Sequence, residues 1–420
     1  MFCTLQAEYW LNVEAPLSNL KCRVCDETDF ETILDLGDQP WGNGFIRPEN
    51  VNLEKAHPLR LVFCNACSTS QLDFTIAKEE MFIDHTYLSG TTSTLQKHFK
   101  EIADNVYIRF LNKKQSPKIL DIGSNDGTQL AQYKNLGCEV LGVESATHVS
   151  EIANNSGIET LNAFFNLETA ENLDTKFDII NASGVFFHLE ELHSVCQGIK
   201  LVLDPQGVFV VQFIYMKLMQ DNTAFDQIYH EHLLYYTLKT IKTLLHRHGL
   251  EMFDAEVSTI HGGTVVGYIG HPGERTISER LLNLVTEEEL SGANTLERYR
   301  EFAEATQLAR KKTLAWVDDT TGKGKIIYGL GAPVKGNTLL NFFGLGPDRV
   351  KYLTERNPLR KGLVSPGMHI PVIMDDELPE QPDSYLVLAW NFKKEILKRH
   401  SEDIKNGIQF YFPVDPSIKE

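Results

Sequence analysis

No stretch of this 420-residue chain stays apolar for the roughly 18–20 residues that a membrane-spanning helix needs. A helical membrane protein is therefore not expected. The first residues, MFCTLQAEYWLNVEAPL, contain acids and no basic cluster ahead of an apolar run. They do not read as a secretory leader, and a cytoplasmic protein is expected. Positive charge is scarce: 40 Lys and Arg stand against 57 Asp and Glu, a formal net charge of −17. A surface of that sign repels phosphate backbones and anionic headgroups, which argues against nucleic-acid and membrane partners. It leaves room for a local basic pocket holding a small phosphate-bearing ligand. Low-complexity segments and short internal repeats are also missing, so a solenoid or a disordered linker is not expected. What remains is ordinary for folded protein: 42% hydrophobic and 23% charged residues, in a length that suits two to four domains.

The seven cysteines are an odd number, and four of them fall in two pairs, Cys22-Arg23-Val24-Cys25 and Cys64-Asn65-Ala66-Cys67. Without a leader, this usage favours metal over disulfides. Two such knuckles can bring four thiolates to a tetrahedron around Zn²⁺. Four sulfur ligands leave no open position, so the zinc would be structural. Buried free thiols or a redox pair are the competing readings. Cys3, Cys138 and Cys196 are isolated and read as small packing or surface residues.

Residues 92–112 read as a helix. From Lys118 the texture changes to strands alternating with helices. PKILDIGSNDG (117–127) is a strand followed by a Gly-rich turn, and a helix follows. CEVLGVE (138–144), KFDIINASGV (176–185) and QGVFVVQFIY (206–215) are further strands. Such alternation predicts a parallel, doubly wound sheet running to about residue 255. A charged helical stretch covers 275–320. KGKIIYGLGAPVKGNTLLNFFGL (323–345) then opens a second α/β unit, with RVKYLTE, IPVIM, SYLVLAW and IQFYFP as its later strands.

The turn Asp121–Gly127 has the pattern D-x-G-x-x-x-G. It lies at the carboxyl edge of the sheet, where α/β folds bind ligands and where glycine lets a ligand approach the backbone. It is not G-x-G-x-x-G, which disfavours a dinucleotide. One such turn alone fits a ligand-free loop equally well. The pattern resembles the first motif of class I methyltransferases. That resemblance makes Asp121, Gly123, Asn125 and Asp126 candidate contacts to S-adenosylmethionine. It adds Glu144 and Ser145 at the end of the second strand, with Glu144 on the ribose hydroxyls. It also adds Asn181, Ala182 and Ser183, with Asp178, in the fourth strand.

Between Tyr229 and Tyr236 lie two histidines, a glutamate and three tyrosines. Histidine is the usual base at neutral pH, and a neighbouring carboxylate can fix its tautomer. A tyrosine hydroxyl can hold a carbonyl as it becomes an enolate. The competing reading is a helix start with buried aromatics and a solvated histidine pair. His230 and His232 are too close in sequence for the i, i+4 spacing of helical zinc ligands. In the second α/β unit, Lys335 and Asn337 sit on a Gly-rich turn. They read as a diphosphate contact, with the lysine a point charge, or as a plain turn. Asn391 reads as a strand-end ligand contact or as a cap.

Taken in order, the cysteine pairs, LDIGSNDGT (120–128), IYHEHLLYY (228–236), GAPVKGNTLLN (331–341), PGMHIPV (366–372) and LAWNF (388–392) resemble the nucleotide-sugar C-methyltransferases. Those enzymes act on 4-keto-6-deoxyhexoses carried on nucleoside diphosphates. The resemblance covers nearly the whole chain and implies a three-part α/β architecture. A zinc-binding domain (1–85) precedes a doubly wound class I domain that binds S-adenosylmethionine (86–258). A C-terminal Rossmann-like domain (259–420) contributes to binding the nucleotide-sugar. His232 would remove the proton from C3, beside the C4 ketone, and C3 would take the methyl group. Tyr229, Glu231 and Tyr87 match active-site positions of the family. The substrate would be a thymidine or guanosine diphosphate sugar, and the enzyme a monomer or homodimer.

Two segments depart from the family. Around Tyr87 the chain reads Asp84-His85-Thr86-Tyr87-Leu88-Ser89-Gly90, where a further tyrosine and two serines are usual. After His261-Gly262-Gly263 it has Thr264-Val265-Val266 in place of Ser-Leu-Arg, so an altered substrate contact is expected at Val266. The alternatives are an O- or N-methyltransferase on another small molecule, and a zinc-dependent scaffold or binding protein with a non-catalytic methyltransferase fold. The acidic charge and the Gly123/Glu144 pair speak against the scaffold.

Overall fold

A computed structural model describes residues 20–83, 85 and 87–414. The first stretch MFCTLQAEYWLNVEAPL with its Cys3, and Asp84 and Thr86, lie outside the described residues. The head of the chain is antiparallel: β1 (Phe30–Pro40), β2 (Ala56–Cys64) and β3 (Ser70–Leu72) pair in that order. Next come β4 (Lys118–Ile122), β5 (Glu139–Glu144), β6 (Thr160–Asn162), β7 (Phe177–Ser183) and β8 (Leu203–Ile214). β9 (Leu234–Tyr235), β10 (Glu251–Ser258) and β11 (Thr264–Gly270) follow.

Seven of these strands form the central sheet, in the order β10-β11-β8-β7-β4-β5-β6. β4, β5, β6, β7 and β8 are parallel, and β11 runs antiparallel to both β8 and β10. Counted along the chain within the sheet, the order is 3-2-1-4-5-7-6 with the seventh strand reversed. This is the class I methyltransferase arrangement. β4 is apolar because both of its faces are covered: four of its five residues are buried.

Two strands cross the expected domain boundaries. The division at 258/259 falls between β10 and β11, which are hairpin partners in one sheet. All seven residues of β11 are buried, so it needs the central sheet on one side and helices on its faces. β9, expected with the central domain, leaves it altogether. Its two residues pair with β3, Tyr235 opposite Ser70 and Leu234 opposite Gln71, and complete the head sheet.

Helices Glu279–Leu290 and Leu296–Gly322 lead into the last unit. There β12 (Ile327–Leu330), β13 (Leu353–Glu355), β14 (Val372–Met374), β15 (Ser384–Val387) and β16 (Gln409–Tyr411) form a parallel sheet in the order β14-β13-β12-β15-β16. One apolar cluster runs through all three parts, from Cys22 and Leu34 through Phe209 to Leu339 and Val414. Among the described residues no helix is long and apolar enough to cross a membrane.

Candidate active site and zinc centre

The two cysteine pairs meet as their spacing predicts. Cys22 and Cys25 lie on a turn before β1, Cys64 ends β2, and Cys67 follows on the next turn. Each knuckle closes with a backbone N–H to the first cysteine's carbonyl, from Asp26 and from Ser68, both at 2.9 Å. Both donors have left-handed backbone, with φ of 66° and 68°. The four Sγ atoms lie within 4.8 Å of one another, and Cys22–Cys67 and Cys25–Cys64 are 3.5 and 3.6 Å apart. A tetrahedron with Zn–S bonds of about 2.3 Å has edges of about 3.8 Å, so the donor set fits Zn²⁺ with no open position. Cys138 and Cys196 are buried apart from this cluster.

The sheet's carboxyl edge opens into a cavity of about 640 Å³ lined by all three parts of the chain. On the central-domain side, Gly123, Asn125, Glu144, Ser145 and Ser183 form its wall. Gly123 has φ of +66°, and a Cβ there would meet Val185 at 2.5 Å. Only glycine allows this turn and leaves the cradle open. Glu144, 8% exposed, accepts hydrogen bonds from the backbone N–H of Asn125 (2.9 Å) and Ala146 (2.8 Å). Burial still holds its carboxyl above the usual range. Ser183 Oγ is buried without a partner at the tip of β7. The glycine cradle, the rim carboxylate and the unpartnered hydroxyl fit a cofactor with a ribose and polar termini.

Five candidate cofactor contacts do not reach that wall. Asp121 is 3% exposed beneath the turn, where burial and the charge of Glu144 push its carboxyl well up. Asn181 is fully buried and accepts from the Tyr133 hydroxyl at 3.2 Å, and Ala182 is core. Asp126 accepts from Gly90 N–H and from the Thr128 hydroxyl. Asp178, at the other end of β7, pairs with Lys114.

Asn125 and Asp126 have a further role: they fasten the segment carrying Tyr87. Asn125 Oδ1 accepts from Ser89 N–H (2.8 Å), and Asn125 Nδ2 donates to Tyr87 O (3.0 Å). Tyr87, 45% exposed, lies in the cavity wall. The cofactor turn, rather than the zinc-bearing sheet, therefore holds this tyrosine in place.

The histidine-rich segment is no helix start. A single 3-10 turn, Phe225–Gln227, is followed by a tight turn closed by His232 N–H to Tyr229 O (2.8 Å) and then by β9. His232 Nδ1 donates to Gln227 O at 2.7 Å, which assigns the tautomer and leaves Nε2 as an acceptor. Burial lowers its pKa well below the usual value, with neighbouring His188 acting the same way, so the ring is neutral at pH 7. The Tyr229 ring lies 3.8 Å from the His232 ring, centroid to centroid. Burial keeps the Tyr229 hydroxyl protonated. Glu231 also lines the cavity, and burial pushes its carboxyl up to about 7. His230 faces away, its Nε2 3.3 Å from the carbonyls of His57 and Pro58.

From the C-terminal unit, Lys335 and Asn391 reach the cavity and Asn337 does not. Lys335 Nζ is 3.8 Å from the buried carboxylate of Asp226 and 4.2 Å above the Trp390 ring. Trp390 donates its indole N–H to Asp226. Asn337 is 1% exposed and donates to Gly42 O at 2.7 Å, bracing two domains. Val266 packs in a core cluster with Ile102 and Tyr268 and is not among the residues lining the cavity.

Sequence reasoning missed His188, Trp41, Gln212 and Arg360, and it noted His261 only as part of a glycine motif. His188 lines the cavity 5.1 Å from the His232 ring, and burial pushes its pKa down to about 4. Its signal was available, since it stands just beyond β7 at the ligand-binding edge. Trp41 and Arg360 carried no local signal.

Three family models match in succession: a zinc binding domain (22–82), a methyltransferase domain (95–255) and a C-methyltransferase C-terminal domain (259–415). C-methyltransferase NovU from Streptomyces niveus is 29% identical over 94% of this chain and 95% of its own length. Among solved structures, an S-adenosylmethionine-dependent methyltransferase from Clostridium acetobutylicum matches 42% of this chain and 92% of its own, at 15% identity and TM-score 0.35. The PH0226 protein from Pyrococcus horikoshii matches 46% and 97%, at 16% identity and TM-score 0.35. The strand order, not these distant likenesses, defines the fold. Fold and cradle together make this an S-adenosylmethionine-dependent methyltransferase with a zinc-binding head. The C-terminal match and the likeness to NovU make the methyl transfer one to carbon, so the chain is a C-methyltransferase similar to those that join these three domains.

Proposed function

We propose that the enzyme methylates C3 of a 4-keto-6-deoxy sugar carried on thymidine or guanosine diphosphate. The observation that carries this reading is His232: buried, neutral, its Nδ1 occupied by Gln227 O and its Nε2 left as a base. Oxygen and nitrogen nucleophiles already carry a lone pair for attack on a methylsulfonium, whereas this carbon gains one only by losing a proton. A C3 proton is acidic enough because its electron pair can pass into the C4 carbonyl as an enolate. In this reading His232 Nε2 takes the C3 proton, and the Tyr229 hydroxyl and Glu231 hold the sugar oxygens that gain charge.

Bound S-adenosylmethionine supplies the electrophilic methyl group. Gly123, Asn125, Glu144, Ser145 and Ser183 hold it, and Tyr87 closes the mouth. Lys335 and Asn391, with Arg360 in the same wall, receive the diphosphate end. A lysine there gives a point charge and an arginine gives a planar fork. The apolar remainder of the cavity keeps water from the reacting carbon.

The test is incubation with thymidine and guanosine diphosphate 4-keto-6-deoxy sugars in deuterated water. Without S-adenosylmethionine, deuterium enters at C3; with it, the sugar gains one methyl group at that carbon by mass spectrometry and NMR. Methyl transfer to oxygen or nitrogen with no exchange at carbon would refute the proposal.

A further inference from the structure

A short segment of the zinc-bearing head reaches the reacting end of the cavity. Directly after β1, Trp41 donates its indole N–H to Glu231 Oε1 at 2.7 Å. The carbonyl of Gly42 accepts from Asn337 Nδ2 at 2.7 Å. Asn43 Oδ1 accepts from Arg360 Nη2 at 3.3 Å, and that guanidinium lies 4.4 Å above the Phe45 ring. Three consecutive residues thus grip the central domain once and the C-terminal domain twice. We infer that Trp41 is a positioning residue for Glu231, holding its carboxyl group at the cavity beside His232 and setting its ionisation, so that the zinc-bearing head takes part in the reaction through one hydrogen bond. This rests on the reading above that Glu231 works in the site.

The physical case is a balance on one carboxyl group. Glu231 is 5% exposed, and burial disfavours its charged form. The Trp41 hydrogen bond and the Arg360 charge oppose that shift, and the group ends at about 7. A carboxylate that loses a hydrogen-bond donor becomes harder to ionise. Tyr229, His188 and His232 are titratable and line the same cavity. Tyr229 is held protonated in part by the charge of Glu231. His188 Nδ1 lies 2.5 Å from the backbone carbonyl of Glu231, not from its carboxyl. His188 and His232 are both lowered by burial and carry no charge at pH 7. Arg360 is then the one charge of these at neutral pH, and Trp41 holds the carboxyl oxygen directly. In sequence Glu231 also lies between Tyr229, whose ring is 3.8 Å from that of the base, and the base itself, so a carboxyl group held in place holds the turn as well.

The unaltered enzyme allows a direct reading, because the chain has only four tryptophans. The indole ¹H–¹⁵N resonance of Trp41 is expected to titrate with the Glu231 carboxyl and to lose that titration in Glu231→Gln. In Trp41→Phe the ring packing is largely kept and the donor is lost. The Glu231 midpoint, read from the carboxyl stretch in difference infrared spectra, should then rise by about one pH unit. The matching limb of the kcat/KM profile should move the same way, with zinc content and S-adenosylmethionine affinity unchanged. A Trp41 resonance indifferent to the Glu231 titration overturns the inference. So does a Trp41→Phe enzyme that loses activity with no shift in midpoint. Should Trp41→Phe fail to fold, the resonance in the unaltered enzyme decides alone. The resonance and infrared readings need no sugar, so failure of turnover on keto sugars would refute the proposed function separately.

Discussion

Replacing His232 with asparagine removes Nε2 and the outer part of the imidazole ring. The Asn side-chain amide can still donate to Gln227 O, as Nδ1 does at 2.7 Å, while the position of Nε2 is emptied. The tilted Tyr229 ring at 3.8 Å and the edge-on Phe187 ring at 4.6 Å lose part of their packing, a destabilisation of about 1–2 kcal/mol. Gly123, Glu144 and Ser183 are untouched, so S-adenosylmethionine should bind as before. A positioned general base contributes about 10²–10⁴-fold, which is about 3–5 kcal/mol in the barrier at 1.36 kcal/mol per decade. Single-turnover methyl transfer should slow by that factor, and deuterium exchange at C3 should slow with it. The pH profile adds a sign. Burial lowers the His232 pKa, so the limb that His232 gives the wild-type rate lies below the usual histidine range, and this limb should vanish in the variant. Near wild-type exchange, or a collapse of cofactor affinity alongside the rate, would refute the role given to His232.

Glu231→Gln should make the protein more stable than wild type at pH 8 and leave it little changed near pH 4.5. The folded carboxyl, near 7 against a usual 4.5, binds its proton more tightly than the unfolded chain does, so wild-type stability falls as pH rises through that window. The ceiling is about 3 kcal/mol, read as the difference between denaturation midpoints at the two pH values. Asn125→Ala removes both bonds to the Tyr87 segment, about 1–3 kcal/mol of local order, and hydrogen exchange at residues 87–91 should quicken as S-adenosylmethionine affinity drops. Unchanged exchange there would refute the fastening. Elemental analysis should find one zinc per chain, lost in Cys64→Ser, and chelation should lower the melting temperature by unfolding the head sheet. Asn337→Ala should lower the melting temperature through the lost Gly42 contact while nucleotide affinity stays the same; weaker nucleotide binding would return Asn337 to the substrate.

Some departures from the sequence expectation follow direction along a strand. Asp178 and Ser183 stand in one β-strand, but at about 3.3 Å per residue they are about 16 Å apart, and only the carboxyl end meets the cavity. Others came from taking a motif as a list of contacts. Asp121 and Asn181 are built into the floor under the cofactor turn, and Asp126 into its fastening to Gly90. Their residue types are the ones the motif asks for, but their side chains act one layer behind the wall.

The sequence by itself determined what local chemistry and periodicity can specify. Thiols three residues apart pair on one knuckle whatever the rest of the chain does, so the zinc ligands were legible. Strands alternating with helices give a parallel sheet, and a Gly-rich turn at its carboxyl edge gives a ligand site. A histidine set among a carboxylate and tyrosines marks proton chemistry. Only the tertiary structure decided which histidine faces the cavity. His230 and His232 have the same chemistry, but the turn after Gln227 and the pairing of β9 with β3 send one to the head's carbonyls and the other to the cavity. It also decided that Trp41, some 190 residues before Glu231, would touch it. The reason is physical: a residue's periodicity reports which face is buried, while the partner across that face is set by how separately folded layers dock, and no local signal carries that information.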